Sequence, residues 1–189
     1  MTKTQLRKQI LLRRDALTTE ERTEYSRRIT QTLTSLPEFI AARTIHSYLS
    51  FGSEVETSFI RSIAFASGKQ VAVPVHEKDN SSLKHCFITE NQKFTSGQWN
   101  VPIPIGDDIE LLSSSELGLS VIDIIIVPLV AFDQMKHRLG YGKGFYDRFL
   151  STVNALKIGI GFSLQEADSI PIEPHDEILS IIITENVIL

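Results

Sequence analysis

The run VIDIIIVP, residues 121–128, restricts this chain more than any other feature. Its β-branched residues follow one another with no polar alternation beyond Asp123, so neither face of the strand is marked for water. Such a strand is buried on both sides, as in a parallel sheet covered by helices. We expect it to be the central strand. Further strands are expected over 43–49, 70–75, 82–89, 157–162 and 178–184, with helices over 58–67, closed by Gly68, and 144–153. Strands alternate with helices, which predicts an α/β sheet with helices on both faces.

At the amino terminus Leu6, Ile10 and Leu17 recur at helical spacing, and Thr18 with Glu21 forms a capping-box pattern. Two helices should meet near Leu17, the second running to about Leu36, where Pro37 interrupts it. Residues 99–106, WNVPIPIG, read as an extended segment lying across a surface, because each proline removes a donor and restricts its predecessor. Residues 107–116 read as loop or short helix, with a turn at 113–115.

The chain has 189 residues, 42% of them hydrophobic and about 45% when Gly is counted and Tyr left out, within the range of one globular domain covering 1–189. Disorder and fibrous repeats are excluded. A net charge of -4 argues against duplex nucleic acid as a partner. No stretch approaches the ~18 apolar residues of a membrane span, and the start does not read as a secretory signal. A single cysteine, Cys86, favours a reducing compartment, so a cytoplasmic protein is expected. The sequence leaves the oligomeric state open, with a monomer favoured.

The chemistry concentrates in RLGYGKGFYDR, residues 138–148. It follows the carboxyl end of the buried strand and precedes a helix, where open α/β sheets bind ligands. Gly140, Gly142 and Gly144 let backbone N–H groups close around an anion, and Arg138 and Lys143 add full charges. The segment reads as a phosphate cradle, although it matches neither the Walker nor the dinucleotide fingerprint. Asp147 and Asp176 are oxygen donors suited to Mg²⁺. Taken alone, Asp147 is equally a helix-start charge, Asp176 a turn residue, and His175 a solvated side chain. Lys3 and Arg7, spaced i, i+4, share one helical face that alone reads as solvated. Glu54 and Glu56 are either ligand carboxylates or a charged loop, and Trp99 either a stacking face or core.

Taken together, Lys3 and Arg7, YLSFGSEVET (48–57), WNVPIP (99–104), VPLVAFD (127–133), RLGYGKGFYD (138–147) and IPIEPHDE (170–177) resemble the 5-formyltetrahydrofolate cyclo-ligases, also called 5,10-methenyltetrahydrofolate synthetases. The likeness runs almost end to end. It implies a three-layer α/β sandwich with a mainly parallel central sheet, on a scaffold similar to that of sugar-phosphate isomerases and coenzyme A transferases. It also implies ATP- and Mg²⁺-dependent cyclisation of 5-formyltetrahydrofolate to 5,10-methenyltetrahydrofolate, with release of ADP and phosphate.

By the same resemblance, ATP is the co-substrate, held by Lys3, Thr4, Gln5, Leu6 and Arg7 and by Arg138, Leu139, Gly140, Tyr141, Gly142, Lys143, Gly144, Phe145 and Tyr146. Catalysis falls to Arg138, Lys143 and Tyr146. The folate is held by Leu49, Glu54, Trp99 and Tyr146, and Mg²⁺ by Asp147 and Asp176. Two departures stand out: Phe145 replaces a frequent Tyr, and Lys136 stands where glycine is common, which predicts a different backbone path before Arg138. The alternatives are another small-molecule enzyme on this scaffold and a nucleotide-binding regulator without catalysis.

Overall fold

The computed structural model describes residues 1–76, 83–97, 100–119 and 122–189. Its elements in order are α1 (Lys3–Asp15), α2 (Thr19–Ser35), α3 (Pro37–Ala41), β1 (Thr44–Ser47), α4 (Ser58–Ala66), β2 (Gln70–Val75), β3 (Lys84–Ile88), β4 (Lys93–Ser96), β5 (Pro102–Ile105), β6 (Leu112–Ser113), α5 (Ser114–Leu119), β7 (Ile124–Pro128), β8 (Ala131–Phe132), β9 (Arg138–Leu139), α6 (Phe145–Leu150), β10 (Leu156–Ile160) and β11 (Ile181–Ile183). Seven strands form one sheet in the order β11-β10-β7-β1-β2-β3-β6. The first five run parallel, β3 pairs antiparallel with β2, and β6 pairs antiparallel with β3.

Strand alternation explains the uninterrupted apolar run. Ile124 and Ile126 enter a core with Ile29 and Leu33 of α2 and Ile60 of α4. Ile125 and Val127 enter a second core with Phe149 and Leu150 of α6. Both faces are therefore dry, and the sheet is the middle of three layers. Strand β7 is the middle of the five parallel strands, but β1 holds the centre of the full sheet, because β3 and β6 extend one edge. Asp123 does not break the run. Its Oδ2 accepts from the backbone N–H groups of Arg43 and Thr44 at 2.7 and 2.9 Å, pinning the entrance of β1.

The capping box at Thr18 and Glu21 forms as expected, and Thr2 with Gln5 makes a second one at the start of α1. Pro37 interrupts α2 but also starts α3 at its first position, where a missing N–H costs nothing. Ser113 and Glu116 cap each other at the start of α5, so 113–115 opens a helix instead of making a free turn. The extended segment pairs as β5 with β4 in a two-stranded sheet of its own.

A third, smaller core holds Leu6 and Ile10 of α1 against Val130, Ala131, Leu139 and Ile170. It fastens α1 to the β8–β9 hairpin that leads into the glycine loop. Lys136, in the turn before Arg138, takes a φ of 65°, the left-handed conformation that glycine adopts without strain. The turn is held by Asp133, 3% exposed. It accepts from Met135 N and His137 N at 3.0 Å, His137 Nδ1 at 3.0 Å and Ile170 N at 2.9 Å. Asp133→Ala leaves several of these donors unpaired, and we expect a loss of about 3 kcal/mol in urea unfolding. A loss below about 1 kcal/mol would contradict this role.

Candidate functional site

Beyond the carboxyl end of the parallel strands lies a cavity of about 640 Å³. Its position is the usual one for ligands of open α/β sheets. It is lined by Lys3 and Arg7 of α1, by Leu49 and Glu54, by residues 138–147, and by Asp176. Residues dispersed through the chain thus converge on one space. Of the first helical turn, Thr4 and Gln5 are exposed and Leu6 is core, so only Lys3 and Arg7 among residues 3–7 line the cavity. Trp99 lies outside the described residues.

The glycine loop bends over the cavity on Gly142 and Gly144, with φ of 94° and 66°. A Cβ on Gly142 would come within 3.1 Å of the Arg7 guanidinium, so glycine serves both the turn and the close approach. Arg7 Nε donates to the Gly140 carbonyl at 2.8 Å, joining α1 to the loop. Burial lowers the Arg7 pKa from its ordinary value.

Arg138 is 7% exposed. Its guanidinium donates to Asp147 Oδ1 at 2.6 Å and to the Glu177 carbonyl at 3.0 Å, bridging α6 and the loop before β11. Across the cavity Lys3 Nζ meets Asp176 Oδ2 at 2.7 Å and Glu173 Oε2 at 3.2 Å. Burial alone would lower the Lys3 pKa, but these two carboxylates outweigh it and raise it. Burial likewise works to raise the Asp176 pKa, and Lys3 together with the Glu173 N–H pulls it below its ordinary value. Donor atoms of Glu173, His175 and Asp176 lie within 4.8 Å of one another. Asp147 and Asp176 each commit one named oxygen to their ion pair, and oxygen donors of this kind fit a small hard cation such as Mg²⁺.

Two buried polar atoms in this region have no hydrogen-bond partner among the described residues: Arg138 Nε and the Tyr146 hydroxyl. Buried polar atoms without partners are uncommon and cost stability, so atoms lining a cavity in this state are suited to a ligand. Burial also pushes the Tyr146 hydroxyl pKa up, keeping it protonated as a donor. Phe145, at the start of α6, faces the His76 ring with centroids 5.2 Å apart.

At the other end of the cavity Glu54 is 5% exposed. Tyr141 donates to its Oε1 at 2.7 Å and the Phe51 N–H to its Oε2 at 3.1 Å. Arg14 donates to the Tyr141 hydroxyl and to Ser53 Oγ, both at 2.9 Å. Burial pushes the Glu54 carboxyl up to about 7, against the opposing pull of Tyr141, Arg14 and the Phe51 N–H. Arg14 was not among the site residues expected from sequence. Its signal was its place on the apolar stripe: α1 buries Leu6, Ile10 and Arg14, and an arginine continuing such a stripe needs a polar partner.

Sequence and structure comparisons agree. The sequence model described as the 5-formyltetrahydrofolate cyclo-ligase family matches residues 1–185. A 5-formyltetrahydrofolate cyclo-ligase of Mycoplasma pneumoniae is 33% identical over 189 residues, covering 98% of this chain and 99% of that protein. One from Escherichia coli K12 is 30% identical over 176 residues, covering 91% and 94%. The solved structure of Aquifex aeolicus 5,10-methenyltetrahydrofolate synthetase superposes with a TM-score of 0.82 at 29% identity, covering 100% of this chain and 92% of that one.

The raised Glu54 pKa carries a stability consequence. Between its unfolded value near 4.5 and about 7, the folded protein holds a proton that the unfolded chain releases, so stability falls as pH rises through that window. Unfolding at pH 5 and pH 8 should show wild type losing about 2–3 kcal/mol more than Glu54→Gln. Parallel losses in the two proteins would contradict the shift.

Proposed function

The chain belongs to the 5-formyltetrahydrofolate cyclo-ligase family, and we propose that its cavity closes 5-formyltetrahydrofolate to 5,10-methenyltetrahydrofolate at the expense of ATP, releasing ADP and phosphate. The observation that carries this reading is the joining of a basic glycine-loop cradle and the buried carboxylate Glu54 in one cavity. An anion-binding end lies beside an end with a fixed hydrogen-bond acceptor.

The need for ATP follows from the substrate. A formamide oxygen is a poor leaving group, so it first attacks the γ-phosphorus, the bond to ADP breaks, and an imidate phosphate forms. N10 then attacks the formyl carbon, loses its proton, and phosphate departs. Little covalent chemistry falls to the protein, so its contribution is positioning and charge neutralisation.

Lys3 and Arg7 are assigned to the nucleotide phosphates, with Thr4, Gln5 and Leu6 forming the turn that carries them. The loop Leu139, Gly140, Tyr141, Gly142, Lys143, Gly144 and Phe145 wraps the nucleotide. Arg138 and Lys143 offset the charge on the transferring phosphoryl group. The Tyr146 hydroxyl, without a partner among the described residues, is suited to bond the formyl or phosphoryl oxygen. Leu49 and Glu54 hold the folate, with Trp99 assigned to the same ligand. Asp147 and Asp176 would hold Mg²⁺, which when bound supplies further neutralisation of the phosphates.

Among the described residues, no helix is long and apolar enough to cross a membrane. A cytoplasmic location is proposed from the lone cysteine, Cys86, which is free and buried. A monomer is the working assembly.

Mixing the protein with ATP, Mg²⁺ and 5-formyltetrahydrofolate should produce methenyl absorbance in the near ultraviolet with matching ADP release. Arg138→Ala and Asp147→Ala should each lower kcat by about 100-fold or more while changing folate affinity far less. Unchanged ATP-dependent turnover in both variants would overturn the assignment.

A further inference from the structure

With Glu54 ionised, the hydrogen bonds around it have one direction. Arginine has donors and no acceptor, so the Tyr141 hydroxyl accepts from Arg14 and its single hydrogen goes to Glu54 Oε1. The Phe51 N–H donates to Oε2. In the ionised form both carboxylate oxygens are therefore accepting. Arg14 is itself fixed by its Nε bond to Ser53 Oγ, and that hydroxyl donates to Asp15. The Tyr141 ring packs on Phe51 with centroids 5.5 Å apart, and the Arg14 guanidinium carbon lies 5.8 Å from the ring centroid. A continuous path thus runs from α1 through the glycine loop to the carboxylate.

We propose that Arg14 and Tyr141 are positioning residues that hold Glu54 as an ionised acceptor toward the folate and tie its placement to the nucleotide loop. This rests on the function proposed above and adds to it the wiring between its two ligand sites. Tyr141 belongs to the loop assigned to ATP, while its hydroxyl sets the group assigned to the folate. By linkage, ordering the loop around one ligand favours the other, and the reverse.

The groups facing Glu54 are Arg14 of α1, Tyr141 of the loop, Tyr48 after β1 and Tyr146 of α6. Arg14 is the one cation among them. Burial opposes ionisation, and Tyr141, Arg14 and the Phe51 N–H favour it. Removing the Tyr141 hydroxyl removes a donor to the ionised form.

The test uses the full chain and Tyr141→Phe, which keeps the ring. Carbon-13 NMR of the ligand-free protein follows the Glu54 carboxyl. Its midpoint should move up by about one pH unit in the variant. At saturating ATP, the acid limb of kcat/KM for 5-formyltetrahydrofolate should move the same way, with about a tenfold loss below it. Glu54→Gln should lack that limb, and adding Tyr141→Phe to it should cost clearly less than the tenfold that it costs in the wild type. An unmoved carboxyl midpoint overturns the proposal, as does an equal Tyr141→Phe effect in the Glu54→Gln background. A shifted midpoint with no wild-type turnover supports the wiring and counts against the proposed reaction alone.

Discussion

A guanidinium taken out of water must find partners, and the burial of Arg138 organises the site around that requirement. It takes one carboxylate from α6 and one carbonyl from the loop before β11, so segments distant in sequence are held to the same charge. Arg138 itself is placed by β9, whose hairpin is locked by Asp133 and covered by α1. The clamp leaves Nε without a protein partner among the described residues, so the protein compensates the charge while keeping a donor in reserve. Truncating such a residue would strand Asp147 as well as removing a contact.

The same principle accounts for the gathering of cations at one cavity in a chain of net charge -4. Lys3 is balanced by Asp176 and Glu173, Arg138 by Asp147, and Arg14 lies beside the Tyr141–Glu54 pair. Lys3, Arg138 and Arg14 are thereby placed instead of left to solvent, whereas Lys143 of the glycine loop is exposed. The helix α1, whose positive residues could be read as a solvated face, is bound to the cavity by three of them: Lys3, Arg7 and Arg14.

What could be read in advance followed short-range rules. The sheet was legible because residues 124–127 put apolar side chains on both faces, and the glycine loop because it follows such a strand. Helix starts were legible where capping chemistry is local, as at Thr18. Less was visible where a residue serves a partner far away. Asp123 reads as an interruption until Arg43 and Thr44 are seen to need its oxygen. Lys136 sits at a positive φ in a turn held by Asp133, and the donors that fix that turn include Ile170, far along the chain. Arg14 and Tyr141 are separated by 127 residues, and nothing local says that they share a hydrogen bond to one hydroxyl.

In the proposed reaction one cavity serves both ligands. A crystal structure with a non-hydrolysable ATP analogue, Mg²⁺ and 5-formyltetrahydrofolate tests it most directly. The terminal phosphate should lie within hydrogen-bond reach of Arg138 and Lys143, with the formyl group beside it and the folate on Glu54. A nucleotide bound away from the glycine loop, or a folate bound outside this cavity, would contradict it.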